Sequence, residues 1–278
     1  MVILFWGEDN CFGVVCGDRR QVCRRLLGGW GVVGSYDGWC FLCVVNYLGW
    51  IVMSEQFGRP NEAIGNHDSF ANLVVVDHPF IRVKLTEARD RGTPHWRFCT
   101  IVREISALML YECTRDWPTK VRMIDTPLER MEGEEADGLL TLVPILRAGL
   151  GMTRGMVDLM PEARVGHVGL YRDHETLQPI EYYQRFPKNM KTGRVLMLDP
   201  MLATGGSAVR AAEVIKARGC GDIRMVCLVA APEGVEAMGK AHPDILVYTA
   251  ALDRQLNEDG YILPGLGDAG DRIFGTEE

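Results

Sequence analysis

The chain has 278 residues, 47% of them apolar and 24% charged, and it carries a formal net charge of -7 at pH 7. A chain of this length and composition can bury one large hydrophobic core or two modest ones, as ordinary globular proteins do. Its acidic balance opposes the phosphate-neutralising surface that nucleic-acid binding requires, so we expect no nucleic-acid partner.

The sequence contains no export or membrane signal that we can identify. No basic segment followed by an apolar run and a small-residue cleavage site opens the chain. The longest uncharged run, residues 38–54, has fewer apolar residues than the roughly 18 that a spanning helix needs. Five of the nine cysteines lie in the first 52 residues and the others are scattered, which favours a reducing cytoplasm over a disulfide framework. We therefore expect a cytoplasmic protein with no membrane segment.

The first 52 residues differ in composition from the rest of the chain. They contain no lysine and no proline, but four of the six tryptophans and nine glycines. From Met53 onward the sequence has ordinary helix and strand patterns. We expect residues 1–52 to be an atypical extension, either poorly ordered or translated upstream sequence, and residues 53–278 to form the functional domain. The pair Cys40 and Cys43 has no partners at zinc-site spacing, so we expect no metal there.

After residue 53, helices and strands alternate. Apolar residues on one face predict a helix over residues 95–113. Short apolar runs predict buried strands at residues 139–143, 165–170, 195–198, 225–230 and 245–248. Helical stretches lie between them at residues 152–160, 207–218 and 234–241. This alternation predicts an α/β fold with a mainly parallel, doubly wound sheet, in which ligands bind at the carboxyl ends of the strands.

The strongest chemical signal is residues 194–207, where an apolar strand delivers Asp199 and a loop ends in Thr204-Gly205-Gly206-Ser207 before a helix. Two glycines let the backbone turn tightly, so that several N–H groups and the helix dipole face a phosphate. The Thr204 and Ser207 hydroxyls can donate to the same phosphate, and Asp199 can accept hydrogen bonds from ribose hydroxyls. The alternative is a plain strand-to-helix turn with Ser207 as the N-cap.

Two other phosphate-binding motifs are excluded. No Gly-Lys-Ser/Thr follows the glycines, which rules out a Walker A loop. Residues 265–270 match Gly-x-Gly-x-x-Gly, but Pro264 precedes them and too little sequence follows for a dinucleotide-binding unit.

Four segments together resemble uracil phosphoribosyltransferases: residues 143–152, 171–176, 199–207 and 260–276. The similarity runs from about residue 72 to residue 276. The resemblance implies a type I phosphoribosyltransferase-like sheet with a small hood over the base site. It also implies conversion of uracil and 5-phosphoribosyl 1-diphosphate (PRPP) to UMP and diphosphate. The general type I loop carries two adjacent acids, whereas here Pro200 follows Asp199, as is characteristic of the uracil branch. We therefore assign no catalytic carboxylate pair to this loop.

The resemblance also implies roles for individual residues. Those expected to act in catalysis are Asp268, Arg147 and Arg172, the two arginines by stabilising the departing diphosphate. Those expected to bind PRPP are Arg147, Arg172, Asp199, Pro200, Met201, Leu202, Ala203, Thr204, Gly205, Gly206, Ser207 and Asp268. Those expected to bind uracil, largely through backbone groups, are Ile262, Gly267, Asp268 and Ala269.

Cofactors and partners follow from the same resemblance. We expect Mg²⁺ to arrive bound to PRPP, with no separate protein metal site. Family members commonly form dimers or larger assemblies, and some are activated by GTP, so a homo-oligomer and GTP activation are expectations. Two rivals stay open at this point: an RNA-regulating module that senses uridine nucleotides, and a transferase of the same fold that uses a purine base.

Overall fold

The computed structural model describes the strands at residues 3–6, 12–16, 19–23, 31–36, 39–45 and 51–53, and the chain at residues 69–172 and 179–276. The chain divides into two compact units, Met1–Arg59 and Pro60–Glu278. The predicted boundary at residue 53 therefore lies within a few residues of the boundary between the units. Whether residues 1–52 are dispensable for function stays a prediction.

The first unit contains two small antiparallel sheets, each of three strands. The first sheet comprises β1 (Ile3–Trp6), β2 (Phe12–Cys16) and β3 (Arg19–Cys23). The second comprises β4 (Gly31–Tyr36), β5 (Trp39–Val45) and β6 (Ile51–Met53).

The second unit is built on a nine-stranded sheet, in the order β13-β12-β10-β14-β16-β17-β7, with β11 beside β10 and β15 beside β16. Every pair in it is parallel except β12 with β13. The strands are β7 (Leu73–Val75), β10 (Leu140–Leu146), β11 (Arg164–Val165), β12 (His167–Arg172), β13 (Pro179–Arg185), β14 (Arg194–Leu198), β15 (Met201–Leu202), β16 (Asp222–Ala230) and β17 (Leu246–Leu252). Two hairpins lie outside it: β8 (Thr119–Asp125) with β9 (Arg130–Ala136), and β18 (Gln255–Leu256) with β19 (Ile262–Leu263).

Helices cover both faces of this sheet, because alternate side chains of its strands enter two separate hydrophobic clusters. Leu196 and Leu198 of β14 join one cluster, while Val195 and Met197 join the other. The first cluster packs α1 (Pro79–Arg89), α2 (His95–Cys113), α3 (Leu150–Leu159) and α6 (Ala269–Phe274). The second packs α4 (Gly206–Lys216) and α5 (Pro232–Ala241). This two-sided packing is the predicted doubly wound architecture.

The predicted elements of the second unit are confirmed with small shifts at their ends. The helix predicted over residues 95–113 is α2, with the same bounds. The structure adds α1, α6, β7, the antiparallel edge strand β13 and both hairpins, which the sequence analysis did not identify. Cys99, Cys113, Cys220 and Cys227 are free thiols. No helix in the described part of the chain combines the length and apolar content required to cross a membrane.

We expect a chain that lacks residues 1–52 to keep the fold of the second unit, because the chain contacts cluster into two separate units. Its thermal unfolding midpoint should stay within a few degrees of the midpoint of the corresponding transition in the full chain, as measured by calorimetry. Its uracil-dependent activity should be largely intact, because all four family-like segments lie beyond residue 53. A truncated protein that folds but is inactive would contradict this expectation.

Candidate active site

The candidate site lies where the strand order of the large sheet reverses. After β10 the chain crosses through α3 to β12 on one side, and then returns to β14 on the other side of β10. Parallel strands end at the same edge, so the segments that follow β10 and β14 emerge next to each other. In open α/β sheets this reversal point is where ligands bind.

The loop after β14 makes the tight, glycine-dependent turn that the sequence predicts. Gly205 is the N-cap of α4 and has φ = 82°, a left-handed conformation that favours glycine. A Cβ atom at Gly205 would lie 2.8 Å from the Ala237 Cβ atom. Thr204 and Ser207 are exposed, and α4 has no side-chain cap. Gly205, not Ser207, is therefore the N-cap, and Ser207 is an exposed residue in the first turn of α4.

The loop after β10 carries Arg147, whose side chain is 61% exposed. Its guanidinium donates to Asp271 Oδ1 at 3.4 Å and lies 5.7 Å from the centre of the Phe274 ring. The loop packs directly against β14, because a Cβ atom at Gly149 would lie 2.3 Å from the Leu198 carbonyl oxygen. The predicted diphosphate arginine thus projects beside the strand that leads into the phosphate loop.

Asp199 lies at the end of β14 and has an unusual proton affinity. The pKa of its carboxyl is raised to about 7, because burial and the negative charge of Asp268 outweigh the lowering by a hydrogen bond of 3.3 Å from the Met201 N–H. Two residues that are 69 positions apart in sequence are therefore electrostatic neighbours. The structure brings together the Asp199 loop and the segment predicted to bind the base.

The predicted base-binding segment, residues 262–269, runs from β19 to α6. Ile262 and Ala269 are buried, whereas Gly267 and Asp268 are exposed. Asp268 caps α6, since its Oδ1 accepts a hydrogen bond of 2.9 Å from the Asp271 N–H. The preceding turn reaches the phosphate loop, because a Cβ atom at Gly260 would lie 3.9 Å from Thr204 Cγ2.

Two predicted features lie partly or wholly outside the described residues. The backbone of Arg172 ends β12, but its side chain is not described, and residues 173–178 of the same family-like segment are not described either.

Within the described residues, no group of three or more His, Cys, Asp or Glu side chains could hold a metal ion.

Sequence analysis missed Asp271, which accepts from Arg147 at 3.4 Å and from the Thr276 hydroxyl at 2.6 Å. It also missed Glu233 of α5, whose Oε1 accepts from the Leu256 N–H at 3.1 Å and so ties the β18–β19 hairpin to α5. The only sequence signal for Asp271 is its place three residues after Asp268, as in a short capped helix.

Comparisons with known proteins point to one family. Residues 75–276 match the family model described as uracil phosphoribosyltransferase. A protein of that name from Dictyoglomus thermophilum is 52% identical over 206 residues, which are 74% of this chain and 100% of the relative. One from Pediococcus pentosaceus is 55% identical over 204 residues, 73% of this chain and 98% of the relative. A solved structure from Aquifex aeolicus has a TM-score of 0.71 at 33% identity and covers 74% of this chain and 99% of its own.

The raised pKa of Asp199 predicts a pH-dependent loss of stability in the ligand-free protein. Between about pH 4 and pH 7 the folded state keeps a proton that the unfolded state has released, so the free energy of unfolding falls as the pH rises through this window. Asp199→Asn removes that contribution. We measure the free energy of unfolding of both proteins in urea at pH 5 and at pH 7.5. Between these two pH values, we expect the free energy of unfolding of the variant to rise by on the order of 1 kcal/mol relative to that of the wild type. An equal difference between the two proteins at both pH values would contradict this.

Proposed function

The chain belongs to the uracil phosphoribosyltransferase family, which converts uracil and PRPP to UMP and diphosphate, and we propose that it carries out this reaction where the loops after β10 and β14 meet the β19–α6 segment. One observation carries the proposal. Three features lie side by side at the reversal point of the sheet, although they come from distant parts of the sequence. They are the tightly turned loop after β14, the exposed Arg147 and the glycine-rich segment proposed to bind the base.

In the proposed mode of PRPP binding, the 5′-phosphate lies against Gly205, Gly206 and Ser207 at the start of α4. The first N–H groups of a helix lack intrahelical acceptors and point toward such an anion. The ribose hydroxyls donate to Asp199 at the end of β14. The diphosphate lies beside Arg147, whose exposed guanidinium can donate two parallel hydrogen bonds to it.

For uracil, we propose recognition by backbone groups of Ile262, Gly267 and Ala269. Uracil presents an N3–H between two carbonyl oxygens, so its complement is an acceptor flanked by donors. Cytosine presents an amino group in place of one of those oxygens, which would leave a donor facing a donor. A buried polar group left without a partner is a strong basis for rejecting the wrong base.

In the proposed chemical step, uracil N1 forms a bond to C1 of the ribose and releases its proton to water. The C1–O bond to diphosphate breaks, and its electron pair leaves with the diphosphate. Positive charge develops on the ribose ring while negative charge accumulates on the leaving group. Asp268, an exposed carboxylate within the base segment, stabilises the positive charge on the ribose. Arg147 stabilises the negative charge on the diphosphate. The acceleration comes mainly from positioning and electrostatics.

We propose that Mg²⁺ enters with PRPP. The described part of the chain contains no group of three or more His, Cys, Asp or Glu side chains that could hold a metal ion by itself. It does supply two neighbouring carboxylates, Asp199 and Asp268, and their mutual repulsion favours a cation beside them. When bound, Mg²⁺ would help neutralise the diphosphate charge. Asp199 and Asp268 are the residues that would face it, directly or through the ribose hydroxyls.

Three finer expectations stay predictions. A homo-oligomer is supported by the exposed β8–β9 hairpin, where the side chains of Val121 and Leu128 leave 68% and 96% of their surface uncovered. A cytoplasmic location is supported by the free thiols of the second unit. Activation by GTP rests on the family resemblance alone.

The proposed function is tested by a panel of bases with PRPP and Mg²⁺, with diphosphate release as the readout. We expect turnover with uracil and at most a few per cent of it with cytosine, hypoxanthine, guanine or adenine. Turnover with a purine and none with uracil would favour a purine transferase. Omitting Mg²⁺ should abolish diphosphate release, and full activity in chelator would overturn the proposed role of the metal.

Asp268→Asn tests the electrostatic role of this residue. Asparagine is as good an N-cap as aspartate, so α6 and the backbone of Gly267 and Ala269 should keep their geometry. We expect kcat to fall at least tenfold, with a smaller change in the KM for uracil, since the lost charge acts mainly in the transition state. Asp259→Asn, in the exposed turn before β19, is the matched control and should leave both constants unchanged. Unchanged kinetics in Asp268→Asn would remove this side chain from the mechanism.

A further inference from the structure

A loop that recognises a base through its backbone must be held still by something other than its own side chains. Residues 264–268 contain two glycines in left-handed conformations, Gly265 at φ = 62° and Gly267 at φ = 72°. Such a segment has many conformations to lose on folding and few side chains to pack. Its rigidity has to come from contacts that it makes with the rest of the unit.

Gly265 is held at both of its backbone polar groups by one ion pair. Its carbonyl oxygen accepts from Arg89 Nη1 at 2.8 Å, and its N–H donates to Asp253 Oδ2 at 2.9 Å. Arg89 and Asp253 are joined by two further hydrogen bonds, of 2.8 Å and 2.6 Å. No other residue fits here, because a Cβ atom at Gly265 would lie 2.1 Å from the Ile262 carbonyl oxygen.

Both partners of the ion pair stand on rigid elements. Arg89 is the last residue of α1, and Asp253 follows directly after the core strand β17. The N–H of Asp253 donates to the Ala230 carbonyl at the end of the neighbouring strand β16, at 2.8 Å. The Arg89–Asp253 ion pair, which we call the clamp, therefore fixes the glycine loop (residues 264–268) relative to the sheet and α1.

Arg272 of α6 extends the clamp to the next carbonyl. Its Nη1 donates to the Leu266 oxygen at 2.9 Å and to the Ala88 oxygen at 2.6 Å, and its Nη2 donates to the Asp90 oxygen at 2.9 Å. Its guanidinium also lies 4.0 Å from the centre of the Phe98 ring. Two consecutive carbonyls immediately before Gly267 are thus fixed by arginines, one at the end of α1 and one that donates to backbone carbonyls there.

The burial of the ion pair indicates a positional role. The side chain of Asp253 is 5% exposed and that of Arg89 is 23% exposed. Removing two charges from water costs about as much as their attraction returns, so a buried ion pair is weak evidence for added stability. What this pair provides, and two apolar side chains would not, is a donor and an acceptor at fixed positions for the two backbone groups of Gly265.

On the premise of the proposed function above, we propose that Arg89 and Asp253 are positioning residues for the base: they clamp Gly265 so that the backbone of Gly267 and Ala269 is preset for uracil. Neither residue touches PRPP or uracil in this proposal. Their loss weakens recognition of the base and leaves recognition of the sugar phosphate intact, because the phosphate loop is held separately by α4 and α5.

Arg89→Lys is the first test, since lysine keeps the charge but cannot donate to both Asp253 oxygens and the Gly265 carbonyl at once. The chain offers a matched control. Arg224 also forms a bidentate pair with an aspartate, Asp116, and donates to a backbone carbonyl, that of Cys113 at 2.6 Å. It lies near the start of β16, at the edge of the sheet opposite the candidate site.

The readouts are the kinetic constants of the full chain and the affinities of two ligands, UMP and ribose 5-phosphate. In Arg89→Lys we expect the KM for uracil and the Kd for UMP to rise by about tenfold, the effect of losing one charge-assisted hydrogen bond. The Kd for ribose 5-phosphate and kcat should change less than threefold. In Arg224→Lys all four values should stay within about twofold of wild type, although both variants are expected to unfold at a lower temperature.

Equal effects on UMP and ribose 5-phosphate in Arg89→Lys, or the same uracil effect in Arg224→Lys, would overturn the positioning role. Asp253→Asn should give a larger uracil-specific loss than Arg89→Lys. If Asp253→Asn does not fold, the ratio of the two Kd values in Arg89→Lys decides alone. If the wild-type chain binds UMP no tighter than ribose 5-phosphate, the proposed function itself is refuted. This measurement on the wild type therefore separates a wrong function from a wrong positioning role.

Discussion

The parallel pairing of β10 with β14 is the constraint on which the candidate site depends. It sends the segments after both strands out at one edge, and the reversal of strand order leaves a gap there that no crossover helix fills. A Cβ atom at Gly149 would lie 2.3 Å from the Leu198 carbonyl oxygen, so the two loops can approach this closely only with a glycine at this position. The β18–β19 hairpin and α6, which follow the sheet in sequence, carry the segment that we propose binds the base.

Much of the fold could be predicted from sequence because its main signals are local. Buried parallel strands appear as short apolar runs, and α2 shows one continuous apolar face, so both were located to within a few residues. Two of the elements that were missed, the β8–β9 hairpin and the edge strand β13, lack such a signal. The residues of β8 are exposed throughout, and β13 carries exposed tyrosines on an edge strand. Their strand conformation follows from pairing with a neighbour, which a single sequence does not reveal.

In the candidate site, too, features with a local sequence signal could be predicted, and features that depend on distant residues could not. Gly205 and the exposed hydroxyls around it could be predicted, because a tight strand-to-helix turn is encoded within a few residues. The pKa of Asp199 could not be, since it depends on burial beneath distant segments and on the charge of Asp268. Asp253 and Arg272 likewise look ordinary in sequence. Their roles arise from partners more than 160 residues away, at the end of α1.

The separation along the chain between Arg89 and the loop that it holds has a consequence for biosynthesis. The two contacting groups are 176 residues apart, and every strand of the large sheet lies before the loop in sequence. During synthesis α1 and most of the sheet are therefore translated well before the glycine segment, which can pack against elements that precede it. Closing a loop of that length is entropically costly in an unfolded chain, but a folded sheet has met most of that cost beforehand. The order of the sequence thus lets the segment that we propose recognises the base pack last, against elements that precede it in the chain.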